Sequence, residues 1–171
     1  MLFGRKKRVE DEAEDLYVSG RYEELLDLIY EKGIQSAKMK RDVAIDYLKK
    51  VISAQESAKA YFLLSLLMIP DKSGLEYALK ARDMDPTNRE YASNLALYYS
   101  EGMKDNASAL ATYERFWKET GDVDMGIFVA EWYLRENNPE MSKKVVSNII
   151  IQNPDNKKAK RILDKIEKKA R

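Results

Sequence analysis

Two stretches decide the reading of this chain: Met84-Asp85-Pro86-Thr87-Asn88 and Gln152-Asn153-Pro154-Asp155-Asn156. Both read x-[D/N]-P-x-N, and they stand 68 residues apart. Midway lies a third turn, Thr120-Gly121, so the spacing is 34 and 34. Between the turns the apolar residues keep helical rather than alternating spacing. A fixed period of this length built from two helices marks an array of stacked helix pairs. Each pair cannot bury its apolar stripe alone, so neighbours must stack to make a core.

Outward from these turns, ten helices are expected. The first spans about 8–19 and ends at Gly20; the second spans 21–30, with Gly33 as its C′ residue. A longer third helix is expected over about 34–53. The fourth, about 57–69, is apolar nearly all round, which predicts burial on all sides, and Pro70-Asp71 breaks it. The fifth to tenth cover about 72–84, 88–100, 106–119, 122–136, 139–152 and 155 onward. Pro139 suits a first helical turn, and Asp122 or Asp124 suits the cap of the eighth helix. Links of about two to five residues make consecutive helices antiparallel neighbours.

The unit Val123–Asn156 resembles a tetratricopeptide repeat. The family wants a small residue at its eighth position, an aromatic at its eleventh and proline at its thirty-second; here stand Ala130, Tyr133 and Pro154. The preceding unit carries Leu95, Ala96 and Tyr99, and one inserted residue near Met103 brings Ala109 and Tyr113 into line. The unit ending at Pro86 carries Tyr77 and Ala81 but departs at Phe62, where a small residue is expected. Gly20-Arg21-Tyr22-Glu23-Glu24 resembles the turn between the helices of a pair. The resemblance covers 72–156 well and 9–33 loosely; 34–57 does not fit the period. It implies an all-α, right-handed α-α superhelix of the tetratricopeptide-like kind, closed by a C-terminal capping helix. Residues 1–8 are read as a basic tail and 9–171 as one domain.

Composition narrows function. The chain has 171 residues, 35% charged and 44% apolar, with neither cysteine nor histidine. The commonest general base and metal ligand is missing, as are disulfides and thiol nucleophiles. No phosphate-binding glycine loop, nucleophile elbow or metal-ligand spacing occurs, so no enzyme, metal or cofactor is expected. No apolar run approaches the ~20 residues of a membrane helix. The basic start is followed by an acidic segment rather than the apolar core of a signal peptide, so the expected compartment is the cytoplasm.

The resemblance implies that the first helix of each pair lines a concave face. That places Lys59, Leu63, Asn94, Leu97, Glu101, Ile127, Glu131 and Arg135 as candidate partner-binding residues. One branch of the family clamps C-terminal carboxylates of chaperones with Lys, Arg and Asn side chains. Lys59 and Asn94 match two of those positions, but Leu63, Asp124 and Phe128 occupy others, so this ligand is not expected. A mixed apolar and acidic face better suits a peptide or helix with basic and apolar sides. The alternative is that Leu63 and Leu97 are packed by neighbouring helices. Trp117 and Trp132 are read first as core, and an exposed tryptophan would be a binding hot spot.

The net charge of +1 hides a segregation. Residues 1–8 hold four cations and no anion; residues 157–171 hold eight Lys/Arg against Asp164 and Glu167, leaving 9–156 at about −9. Ile162, Leu163 and Ile166 read as the buried stripe of a capping helix whose basic residues face solvent. The leading reading is a non-catalytic protein-interaction module or assembly scaffold. The second is a nucleic-acid or anionic-membrane accessory protein acting through basic ends. Pairing of basic ends with acidic middles makes self-association a further expectation.

Overall fold

The computed structural model describes residues 8–69 and 71–169. Pro70 and residues 5–7 of the basic tail lie outside them. Every element among the described residues is helical: α1 (Val9–Val18), α2 (Tyr22–Leu28), α3 (Arg41–Ala54), α4 (Ala58–Met68), α5 (Leu75–Met84), α6 (Arg89–Leu97), α7 (Asn106–Thr120), α8 (Val123–Arg135), α9 (Pro139–Gln152) and α10 (Lys157–Lys169). A single 3-10 turn, Lys72–Gly74, leads into α5. Wider π turns extend α2 over Ile29–Gln35 and α6 over Tyr98–Gly102.

Two compact units form: residues 8–85 with Glu101–Met103, and Pro86–Ser100 with residues 104–169. In the first, α1 packs on α2 and α3, α3 on α4, and α4 on α5. Its centre is α4, where Ala60 to Ser65 are all buried, as its apolar circumference requires. Ser57 caps this helix by accepting from the Ala60 N–H at 3.3 Å. In the second unit, α6 to α10 pack in succession and α10 also touches α8. Its core gathers Phe116 and Trp117 from α7, Val129 and Ala130 from α8, Val146 and Ile149 from α9, and Ile162 and Ile166 from α10.

Local rules account for most boundaries. Gly20 (φ +71°) and Gly121 (φ +70°) take the left-handed conformation that ends α1 and α7. Asp122 caps α8 by accepting from the Met125 N–H at 2.9 Å. Pro139 opens α9, its missing N–H costing no intrahelical bond there.

Two expectations need correction. Gly33 does not close α2; it lies inside the π turn Ile29–Gln35, and the left-handed residue is Ala37 (φ 50°). A Cβ at Gly33 would stand 3.4 Å from that of Ala44, so the position is one of close helix approach. The third helix begins at Arg41 rather than near residue 34, because Lys38 and Met39 both turn their N–H groups back to the Lys32 carbonyl (2.6 and 2.9 Å). This leaves Met39 fully inside the first unit.

Candidate functional site

In the second unit, α8 carries two of the candidate charges. Small residues hold its inner side: Ala130 is fully buried, and a Cβ at Gly126 would fall 2.6 Å from Trp117 Nε1. The backbone of α8 therefore lies directly on the indole, and its opposite side turns outward. There Glu131 and Arg135, one turn apart, are placed at the surface.

Both line a cleft of about 610 Å³ between α8, α9 and α10. Leu134, Pro139 and Ile166 give it apolar walls, while Glu131 and Glu140 set anions and Arg135 and Lys165 cations around it. The turn that shapes its mouth is tightly bonded. Asn137 takes φ 55°, which asparagine tolerates; its N–H meets Leu134 O at 3.2 Å, and the Asn138 N–H meets Tyr133 O at 2.8 Å. The Asn138 side chain then accepts from the Met141 N–H at 3.1 Å, starting α9.

Beside the cleft stands an aromatic cluster. Phe128 meets Tyr113 edge-on with centroids 4.9 Å apart, and Trp132 meets Phe128 edge-on at 5.6 Å. The Arg135 guanidinium lies 5.8 Å from the Phe128 centroid and 5.7 Å from that of Trp132, a cation–π arrangement that keeps its long side chain along the ring faces. Trp132 is half-buried in this cluster, whereas Trp117 is a core residue.

The other candidates are placed differently. Leu63 is 1% exposed, Asn94 4% and Ile127 5%; each packs inward in this conformation. Lys59 reaches Asp27 Oδ1 at 2.7 Å and Glu23 Oε2 at 3.5 Å, bridging α4 to α2 within the first unit. Leu97 is 40% exposed on α6, and Glu101 is exposed in the π turn that follows. Sequence reasoning missed Leu134, Pro139 and Glu140 as cleft residues; Ile166, read as core, is buried, and Lys165, read as solvent-facing, is exposed, and both also line the cleft. Leu134 had a signal, lying three residues from Glu131 on one helix face.

Burial raises the pKa of Tyr47, Tyr113 and Tyr133, the first and last of them strongly. Tyr47 donates to Glu14 Oε2 at 2.8 Å, joining α3 to α1. Burial first, then this carboxylate, pushes it from 10.0 up to about 12. Tyr133 is likewise pushed up to about 12, by burial and then by its bond to Glu114. Both phenols thus hold their protons more tightly folded than unfolded. This contribution to stability is fully present below pH 10.0 and falls as pH rises toward about 12. Ultraviolet titration should show a tyrosinate fraction ionising only near the upper end of that window. Replacing Tyr47 and Tyr133 with phenylalanine should abolish that late fraction; an unchanged curve would refute the assignment.

Among the described residues no group of carboxylates is placed to hold a metal ion, and no helix is long and apolar enough to cross a membrane.

A scan of protein-family models finds no match, and a search of curated proteins finds none. Solved structures do match. The crystal structure of MamA, a TPR protein, is 20% identical over 95% of this chain and 88% of its own, with a TM-score of 0.59. YrrB, a TPR protein with an unusual peptide-binding site, is 19% identical over 90% of this chain and 89% of its own, with a TM-score of 0.46. TTC0263, a thermophilic TPR protein in Thermus thermophilus, is 14% identical over 92% of this chain and 96% of its own, with a TM-score of 0.46. The recurring turns, the paired helices and the likeness to MamA agree: this chain has an all-α, tetratricopeptide-like helical-repeat fold.

Proposed function

We propose that the protein is a non-catalytic interaction module, or assembly scaffold, that binds a segment of a partner protein. The segment lies along the outer side of α8 and anchors in the cleft between α8, α9 and α10. What supports this reading is the cleft itself. Its walls are apolar at Leu134, Pro139 and Ile166, and its rim carries both signs of charge. Such a site rewards a peptide with an apolar anchor flanked by charges, because burial supplies affinity and charge placement supplies selectivity. The arginine held over Phe128 and Trp132 suits recognition of a carboxylate on that segment.

The test exchanges the two rim charges of α8. A Glu131→Arg, Arg135→Glu variant, checked for native circular dichroism, is compared with wild type and with Lys144→Glu on α9 in pull-downs from the native lysate. A specific partner should be retained by wild type and Lys144→Glu. The exchanged variant should weaken its binding by about tenfold or more, as expected at a hot spot. Identical capture by all three proteins would sink the reading.

A further inference from the structure

The two ends of the described residues carry opposite charge. Residues 9–35 hold nine carboxylates against Arg21 and Lys32, a net of −7. The segment Lys157–Lys169 holds seven cations against Asp164 and Glu167, a net of +5.

The acidic end has shape as well as charge. Between α1 and α2 lies an open cleft of about 520 Å³ with Leu16 and Leu28 at its base. Its rim includes Glu12, Asp15, Glu24, Asp27 and Glu31 together with Arg21, which pairs with Glu24, while Lys59 reaches Asp27; the carboxylates outnumber these cations. In a stacked array this is the side on which a preceding helix would sit. The basic end is a helix face. Ala159, Ile162 and Ile166 bury one side of α10 in the core, so Lys157, Arg161 and Lys168, about half a turn away, point outward. Among the described residues no ion pair engages these three.

We infer that copies of this chain associate head to tail, with the basic outer face of α10 of one copy docking in the acidic α1–α2 cleft of the next. A helix is the shape the cleft lacks, and α10 carries the sign the rim requires. Exposed ion pairs each contribute little, so the contact depends on many charges acting together and weakens with salt. The two patches differ, so the interface is heterologous.

Sedimentation velocity of the full chain tests this, at about 25 mM and about 500 mM salt, where screening differs severalfold. Wild type at low salt should rise above the single-chain mass of 19.8 kDa as concentration rises, and return to it at high salt. An acid-face variant (Glu12→Lys, Glu31→Lys) and a basic-face variant (Lys157→Glu, Arg161→Glu, Lys168→Glu) should each remain single chains. Mixed together they should associate, because one retains the acidic cleft and the other the basic helix. Circular dichroism keeps misfolding distinct from lost contact. A wild type that stays at 19.8 kDa throughout overturns the inference, as does a variant that associates unchanged. So does a mass increase seen only with added duplex DNA or phosphatidylserine vesicles, which would make α10 a polyanion surface. None of these outcomes depends on the partner cleft beside α8.

Discussion

Trp117→Ala is expected to lower the unfolding free energy by about 3–5 kcal/mol, the range for deleting a large buried aromatic. The indole is 8% exposed in the core of the second unit. It is also the surface on which α8 rests: a Cβ on Gly126 would lie 2.6 Å from Nε1 and 2.9 Å from Cδ1 of the ring, and 2.9 Å from Ile149 Cδ1. Gly126→Ala alone should therefore destabilise by about 1–3 kcal/mol, through overpacking. This holds even though alanine is the better helix former by roughly 0.5–1 kcal/mol. The pair should be strongly non-additive. With the ring gone, the new methyl fills part of the vacated space, and Gly126→Ala should become neutral or stabilising. A double-mutant cycle by urea unfolding measures this. Additive costs would show that Trp117 and Gly126 do not share the contact, and would remove the account of why α8 presents Glu131 and Arg135 outward.

Much of this fold was legible because short-range chemistry fixes it. Asp122, Gly121 and Pro139 act within one helical turn, so their roles follow from residue type and neighbours. The all-round apolar α4 similarly leaves burial as its only stable placement. The failures occur where the helix widens. The spacing of 89–122 needs one extra residue near Met103, and the π turn Tyr98–Gly102 stands just before it. An i→i+5 turn holds one more residue than an α turn, so it absorbs the insertion without breaking the helix's course. Around Gly33 the same device, followed by left-handed Ala37, ends a helix that apolar spacing alone would continue. The packing of some candidate residues was not legible for a different reason. Ile127 occupies a position that the repeat pattern assigns to an open face, but only tertiary packing decides that it turns inward. Lys59 is drawn to Asp27, 32 residues away, by a contact no local pattern encodes. Glu131 and Arg135, which the resemblance also assigns to the open face, are exposed.

The double substitution Ile162→Ala, Ile166→Ala should cost about 4 kcal/mol or more, since each buried isoleucine truncated to alanine costs roughly 2–5 kcal/mol. These side chains are 8% and 7% exposed and join α10 to the core of the second unit. Among the described residues α10 packs chiefly on α8 and α9, which puts each cost toward the low end of that range. Neutralising the outer face instead, with Lys157→Gln, Arg161→Gln and Lys168→Gln, should change stability by no more than about 0.5 kcal/mol per site, as exposed substitutions do. Unfolding in urea separates the two roles that one helix combines. If the isoleucines carry the stability and the cations do not, α10 is a cap whose charges are free to serve association. If the charge variants unfold as readily as the core variants, those cations have intramolecular partners. The basic face would then have a structural use, and head-to-tail docking would lose its motive.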